Sequence, residues 1–168
     1  MAPSLPVSQK VLKTLMFGSG RSAGQVRFTV ATALGITLAL GGSTLRAWCF
    51  RELGKYFTFE ITIQKDHKLV TTGPYSIIRH PSYTGIIMLM ASAILLTMTK
   101  GSWVRESGLL CGLPGQILVG AFALATGVGN VALLLRIKDE ERELRKRFGK
   151  QWDRWAVKVR YLLIPGIL

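Results

Sequence analysis

Four ionisable side chains stand where apolar sequence meets polar sequence. Arg79 and His80 come just before one long apolar run, and Arg136 and Glu140 follow the next one. If the two runs form neighbouring membrane helices, all four groups converge at one end of the pair, and ionisable residues gathered there indicate a functional site. The four form no catalytic dyad, triad or metal-ligand spacing, so the chemistry they predict is the binding and alignment of charged reactants.

A turn motif precedes the first of these runs. Residues 73–85 read GPYSIIRHPSYTG, and Gly73-Pro74 breaks the chain into a turn. Because irregular backbone is tolerated at membrane depth only when it is buried in protein or lines a cavity, this segment predicts a pocket wall at the membrane surface. Upstream, the stretch YFTFEITI at 56–63 alternates and is rich in β-forming residues, which predicts a short extended piece.

The elements that position these residues are predicted to be membrane helices. Residues 28–45, 84–99 and 107–135 are long apolar runs, and a helix of about 20 residues crosses the hydrocarbon core. The 168-residue chain has a formal net charge of +13, with its Lys and Arg residues clustered between the runs. Nucleic-acid-binding proteins spread basic residues over a folded face and lack several long uncharged runs. The pattern therefore predicts no nucleic-acid partner and an all-α integral membrane protein with about three spans.

We predict a single membrane-embedded domain over residues 1–168, with a peripheral N-terminal segment at 1–27 and the functional core at 46–168. The segment KGSWVRES at 100–107 is expected to join the second and third spans as a hairpin. The basic segments on either side of that hairpin then lie together in the cytosol. A pocket is expected on that side, formed by the 60–85 segment and the C-terminal helix.

The third span contains further signals. Ala123 and Gly127 have the small-xxx-small spacing that lets membrane helices approach closely. The helix is expected to continue into the cytosol and to end at Gly149. Trp152 and Trp155 are then expected on an amphipathic turn at the membrane interface, where Trp residues commonly act as anchors.

Two segments together resemble a known family. HKLVTTGPYSIIRHPSYTG (67–85), followed by DEERELRKRFGKQWDRW (139–155), is similar to the paired motif of the isoprenylcysteine carboxyl methyltransferases. The resemblance covers about residues 46–160. It implies a multi-pass enzyme of the endoplasmic reticulum membrane whose active site faces the cytosol. Such enzymes transfer a methyl group from S-adenosylmethionine to the C-terminal carboxylate of a farnesylated or geranylgeranylated cysteine, so the expected partners are prenylated cysteine C-termini and membrane lipid.

The resemblance also implies roles for individual residues. It assigns Arg136 to the substrate and Glu140 to the cofactor, which makes these two the expected catalytic pair. A family glutamine that contacts the cofactor aligns by spacing with Glu60, whereas Gln64 is the nearer chemical match, and that position stays open. The turn at Gly73 is expected to offer backbone groups to the cofactor. The remaining implied cofactor contacts are His67, Lys68, Leu69, Val70, Tyr75, His80, Pro81, Ser82 and Tyr83.

Three alternatives remain beside this interpretation. Phospholipid N-methyltransferases use the same cofactor, but their amine acceptor would not need the carboxylate-binding Arg136. Membrane sterol reductases share RHPxY and an ending like YLLIPGIL, but they use NADPH and have a longer chain of spans. A shortened, inactive paralogue that binds prenylated partners is the third, because relatives of this family have more spans than the three expected here.

Overall fold

The structure, a computed structural model, describes residues 11, 15–17, 25–56 and 68–166. Its α-helices are α1 (Val30–Leu53), α2 (Pro81–Met98), α3 (Trp103–Glu106), α4 (Leu113–Phe148) and α5 (Lys150–Lys158). Short 3-10 helices lie at Gly54–Tyr56, Gly73–Ser76 and Leu109–Cys111. Three segments are long and apolar enough to cross a membrane, namely α1, α2 extended through α3, and α4. No β-strand occurs in the described ranges, so the predicted all-α membrane architecture with three spans is confirmed.

The helix bounds differ from the apolar runs that predicted them. The third apolar run begins at residue 107, but residues 107–112 belong to the connection and α4 begins at Leu113. This start agrees with the expectation that Pro114, which suits the first turn of a helix, begins the helix there. As predicted, α4 continues without a break past the apolar run and stops before Gly149, whose φ of +50° suits glycine. The extended piece predicted at 56–63 lies outside the described residues, except for Tyr56 at the end of a 3-10 helix.

The described chain separates into two compact units. The first takes the described residues of 1–38 and 91–127, and the second takes those of 39–90 and 128–168. In the first unit, α1 and α2 approach closely at Gly35, where a Cβ atom would come within 2.8 Å of the Leu96 side chain. All the described residues of the predicted site belong to the second unit.

The second unit has a small buried core that is rich in aromatic residues. Cys49 of α1 is fully buried, and Tyr75, Trp152, Trp155 and Val159 pack around it. Trp152 and Trp155 are each only 8% exposed. The prediction that they anchor the chain at the membrane interface was therefore wrong. Their helix α5 is amphipathic as expected, but its apolar face covers protein instead of lipid.

The chain after α5 holds the beginning of α2 in place. We call residues 159–163 the C-terminal strap. Ile78 and Tyr161 form an isolated parallel bridge, and the backbone N–H groups of Arg79 and His80 donate to the carbonyls of Tyr161 (2.9 Å) and Leu162 (3.0 Å). The strap thus satisfies the backbone of the irregular segment that leads into α2, as burial at this depth requires.

Two glycines allow α1 and α2 to cross closely in the second unit. A Cβ atom on Gly42 would lie 2.7 Å from the carbonyl oxygen of Gly85, and one on Gly85 would lie 2.9 Å from that of Gly42. No such approach occurs at Gly127, where a Cβ atom would meet nothing within 4 Å. The predicted close packing at Ala123 and Gly127 is therefore absent from the described chain, and the small-residue contact lies at Gly42 and Gly85 instead.

Candidate functional site

Glu140 is the point at which two helices of the second unit meet. Its Oε1 atom accepts a hydrogen bond from the Tyr83 hydroxyl at 2.6 Å and another from Nε of Arg136 at 2.9 Å. Tyr83 lies in the first turn of α2, whereas Arg136 and Glu140 lie one turn apart on α4. All three side chains are partly exposed. A charged ligand can therefore reach this carboxylate without unfolding either helix.

His80 lies between two adjacent carboxylates. Its Nδ1 atom is 3.6 Å from Oε2 of Glu140, and its Nε2 atom is 3.5 Å from Oε1 of Glu141. Successive residues of a helix point about 100° apart, so neighbouring carboxylates can reach opposite edges of one ring. The His80 side chain is only 7% exposed, and its ring centroid lies 5.6 Å from that of Tyr83. The imidazole is thus confined by α4 on both of its nitrogen edges.

Arg79 braces this arrangement. Its Nη1 atom lies 2.6 Å from Oε1 of Glu141, and its Nη2 atom donates to the carbonyl of Arg160 at 3.4 Å. Its Nε atom is buried and has no hydrogen-bond partner among the described residues. Arg79 therefore ties α4 to the C-terminal strap.

The turn before the site depends on Gly73. Its φ of +56° lies in the left-handed region that favours glycine. A Cβ atom there would also come within 3.0 Å of the Glu52 carboxylate and 3.2 Å of Nε1 of Trp48. The Thr72 hydroxyl donates to the same Glu52 carboxylate, which fastens the turn to the end of α1.

Tyr75 follows the turn and lies in the aromatic core. Its carbonyl accepts a 3.1 Å hydrogen bond from Nε1 of Trp155, and its hydroxyl is hydrogen-bonded to the Cys49 thiol. Burial of the ring, together with that thiol, raises the pKa of the Tyr75 hydroxyl well above its ordinary value. Tyr75 therefore stays neutral at every working pH and links α1, the turn and α5.

Helix α1 also contacts the beginning of α2. Nη1 of Arg46 donates to the hydroxyl of Ser82 at 3.2 Å and to its carbonyl at 3.3 Å. The close crossing at Gly85 makes this contact possible, because a Cβ atom there would lie 2.7 Å from Cγ of Arg46. Ser82 is thus positioned by a cation from another helix.

The structure brings together part of the predicted set. His80, Tyr83, Arg136 and Glu140 form one cluster, so the expected convergence of ionisable groups is present in the described residues. Pro81 is fully buried at the start of α2. Leu69 and Val70 pack against the aromatic core, whereas Lys68 is exposed. Three residues of the prediction lie outside the described residues: Glu60, Gln64 and His67.

Sequence reasoning missed four contributors: Arg46, Cys49, Glu141 and Tyr161. Glu141 follows Glu140 directly, so the usual spacing of three or four residues for a shared helix face gave no reason to select it. A signal did exist, because two consecutive carboxylates on one helix can flank a side chain that packs against that helix. The contacts of Arg46, Cys49 and Tyr161 join segments far apart in the chain, and no local pattern predicts them.

Comparison with known proteins places this chain in a family. Residues 33–104 match the sequence model of the isoprenylcysteine carboxyl methyltransferase (ICMT) family, a range that includes the turn, His80 and Tyr83. Protein-S-isoprenylcysteine O-methyltransferase B of Arabidopsis thaliana is 33% identical over 128 residues, which is 74% of this chain and 55% of that protein. The chain belongs to the ICMT family.

Other relatives of this ICMT-family chain extend the comparison. A probable protein-S-isoprenylcysteine O-methyltransferase of Oryza sativa subsp. indica is 27% identical over 128 residues, covering 75% of this chain and 57% of that protein. The cobalt-zinc-cadmium resistance protein CzcN of Cupriavidus metallidurans is 36% identical over 97 residues, covering 53% of this chain and 39% of that protein. The chain spans about half the length of the plant relatives it matches. No solved structure matches it significantly.

Proposed function

We propose that this chain transfers a methyl group from S-adenosylmethionine to the C-terminal carboxylate of a prenylated cysteine. The observation that carries the proposal is the convergence of Tyr83 and Arg136 on one oxygen of Glu140, beside His80. This cluster presents a cation and an anion on adjacent turns of α4. Membership of the ICMT family and the names of the plant relatives support the reaction class.

The acceptor needs no general base. A C-terminal carboxylate has an ordinary pKa of about 3.5, so at neutral pH it is already ionised and nucleophilic. The protein has to hold two reactants in line and exclude water, and such alignment can lower a barrier by about 7–11 kcal/mol. A cluster made only of charged and hydrogen-bonding side chains suits that task.

Arg136 is the proposed binding group for the acceptor carboxylate. Guanidinium groups bind carboxylates through paired N–H donors in a fixed plane. Glu140 already holds Nε of Arg136 at 2.9 Å, which orients that plane before an acceptor arrives. In this role Arg136 binds the carboxylate while leaving one of its oxygens able to attack.

The charged groups of the cluster fit those of S-adenosylmethionine. Its amino-acid portion carries an ammonium, and the cluster contains a partly exposed carboxylate on Glu140 that can bind it. When bound, the cofactor would supply an electrophilic methyl group on its sulfonium. We propose that Glu140 binds the ammonium, that the Gly73 turn offers backbone groups, and that aromatic faces stabilise positive charge nearby. The other proposed contacts are His67, Lys68, Leu69, Val70, Tyr75, His80, Pro81, Ser82 and Tyr83.

The prenyl chain is proposed to enter from the bilayer. Tyr83 lies in the first turn of one candidate span, and Arg136 follows the apolar part of another. A carboxylate attached to a prenyl thioether would reach these residues while its hydrocarbon chain stays in lipid. We propose the endoplasmic reticulum membrane as the location, with this cluster on the cytosolic side.

Binding and turnover test the proposal. The full chain, purified in detergent, is titrated with S-adenosylhomocysteine by calorimetry and, in parallel, with NADPH. Turnover is then followed as methyl ester formed on N-acetyl-S-farnesylcysteine, with its C-terminal amide as the matched control acceptor. We expect binding of S-adenosylhomocysteine, no binding of NADPH, and ester formation only with the free carboxylate.

Each failure has a distinct meaning. Binding of NADPH alone would overturn the proposal in favour of a reductase. Methylation of phosphatidylethanolamine, without ester formation on the prenylated acid, would indicate a phospholipid N-methyltransferase. Binding of neither compound would refute the assigned cofactor site and would favour the inactive paralogue.

A further inference from the structure

The first unit contains a cleft that the proposed reaction does not use. It has a volume of about 780 Å³ and lies between residues just before α1 and the connection from α2 to α4. Four charged side chains line it: Arg27, Lys100, Arg105 and Glu106. Three cations against one carboxylate give the cleft a net positive charge, which attracts anions.

The backbone around the cleft is built so that these charges stay together. The N–H of Arg27 donates to the carbonyl of Gly101 at 3.1 Å. Gly101 has a φ of +89°, and a Cβ atom on it would lie 3.1 Å from the Arg27 carbonyl, so glycine permits this close approach. Two chain segments far apart in sequence are therefore fixed beside each other, with Arg27 on one and Lys100 on the other.

The single carboxylate of the cleft is already engaged. Oε1 of Glu106 accepts a 3.0 Å hydrogen bond from the N–H of Gly101, which closes the turn after α2. Arg27 and Lys100 are exposed and form no ion pair within the part of the chain that the structure describes. The positive charge of Arg27 and Lys100 is thus left for a ligand from outside the chain.

The cleft lies next to the ends of two candidate membrane spans, and this position indicates which anion it would meet. Arg27 comes just before Val30, where α1 begins, and Lys100 comes just after Met98, where α2 ends. The same connection exposes Trp103, which packs edge-to-face against Phe17 at 6.1 Å. Aromatic and basic side chains at the ends of apolar helices lie at the level of the lipid headgroups. Phospholipid phosphates are the anions concentrated at that level.

We propose that this cleft binds the phosphate of an anionic phospholipid headgroup. The guanidinium group of Arg27 suits paired hydrogen bonding to phosphate oxygens. Lys100 adds a second positive charge, and Arg105, whose Nη1 atom donates to the Met98 carbonyl at 3.3 Å, adds a third. Gln25 also lines the cleft and offers an amide to the headgroup's hydroxyl groups. This site shares no residue with the Glu140 cluster, so its test does not depend on the methyl-transfer proposal.

The chain carries its own reporter for this site. Cys111 lines the cleft and is exposed, whereas the second cysteine, Cys49, is fully buried. The rate of Cys111 alkylation by N-ethylmaleimide, followed by intact-protein mass spectrometry, therefore reports occupancy. The wild-type chain is measured in neutral detergent micelles with added phosphatidylglycerol, phosphatidylcholine or inorganic phosphate, with Cys111→Ser as the background control. We expect phosphatidylglycerol to slow alkylation several-fold at concentrations where the other two have no effect.

Charge variants locate the effect. In the double variant Arg27→Gln and Lys100→Gln, the phosphatidylglycerol concentration needed to protect Cys111 is expected to rise by about fivefold for each cation removed. The matched control, Arg142→Gln with Lys146→Gln, removes two exposed cations from α4 and is expected to leave protection unchanged. Equal protection by phosphatidylcholine would overturn the proposal, because the cleft would not then select an anion. Equal protection by inorganic phosphate would overturn the lipid assignment. An equal loss of protection in the control variant would overturn the assignment to this cleft, because the effect would then depend only on the net charge of the chain.

Discussion

The Tyr83 hydroxyl donates a 2.6 Å hydrogen bond to Glu140, a residue 57 positions later in the chain. This bond ties the first turn of α2 to α4. Because Arg136 donates to the same carboxylate oxygen, Glu140 has a fixed orientation set from two sides. Residues that act as such a unit give non-additive effects when they are changed together.

Glu140 and Arg136 are expected to fail in different ways. Glu140→Ala should weaken binding of S-adenosylhomocysteine by about 10- to 100-fold, the effect of losing a hydrogen bond to a charged group of about 1.5–3 kcal/mol. Arg136→Ala should leave that affinity within about threefold of wild type and abolish methyl ester formation, since its partner is the acceptor. Calorimetry and turnover measure the two quantities.

The control for this pair lies beside them on α4. Asp139→Ala removes an exposed carboxylate that pairs only with Arg142 among the contacts of the described residues, so it should change neither affinity nor turnover. Equal affinity for S-adenosylhomocysteine in wild type and in the Glu140 variant would refute this division of roles.

Tyr83→Phe is expected to lower cofactor affinity and turnover without abolishing either. The change removes the hydroxyl of a proposed cofactor contact as well as one hydrogen bond to Glu140, which Arg136 still holds. The expected loss is about 1.5 kcal/mol, or about tenfold in S-adenosylhomocysteine affinity. Tyr161→Phe is the matched control, because Tyr161 is 42% exposed and its contacts with Ile78 and Arg79 use its backbone. A loss in the control as large as that in Tyr83→Phe would rule out a specific role for the Tyr83 hydroxyl.

Two features could be predicted from the sequence on physical grounds: the membrane helices and the convergence of the four ionisable side chains at the ends of two of them. Apolar runs of sufficient length have few alternatives to membrane helices. Once two runs form a hairpin, residues at their far ends must lie near one another, which places His80 near Glu140. The one-turn spacing of Arg136 and Glu140 follows from helix geometry alone.

The packing around the site was not predictable, because it depends on contacts between distant segments. The sequence around Trp155 would look the same whether its side chain faced lipid or protein. The side chain lies in the core because its Nε1 atom donates to the carbonyl of Tyr75, a residue far away in the chain. Gly127 has the same spacing signal as a packed glycine, yet no helix lies against it in the described chain. Gly42 and Gly85 belong to different helices, so no spacing within one helix identifies them as a pair.

The two tryptophans of α5 provide a matched test of the core. Nε1 of Trp155 donates to the buried carbonyl of Tyr75, whereas Nε1 of Trp152 is buried without a hydrogen-bond partner among the described residues. Trp155→Phe and Trp152→Phe remove the same volume, but only the first leaves a buried acceptor without its donor. We expect Trp155→Phe to destabilise the chain by about 1–3 kcal/mol more than Trp152→Phe.

Thermal unfolding in detergent measures this difference as a melting temperature lower by about 2–4 °C for each kcal/mol. Equal melting temperatures for the two variants would mean that the Trp155 hydrogen bond adds nothing to stability. A lower melting temperature for Trp152→Phe would mean that the contact between its ring and Arg145, at 5.8 Å, contributes more.

Glycine-to-alanine changes test the helix crossing that brings Arg46 to Ser82. Alanine favours a helix by about 1 kcal/mol over glycine, so Gly127→Ala, with open space around its Cβ position, should raise the melting temperature or leave it unchanged. Gly85→Ala should lower it, because the new methyl group would lie 2.9 Å from the Gly42 carbonyl and 2.7 Å from Cγ of Arg46. It should also weaken S-adenosylhomocysteine binding, since Arg46 positions Ser82. If Gly85→Ala were as stable as Gly127→Ala, the close helix crossing would not exist in the detergent-solubilised protein. The position of Ser82 would then need another explanation.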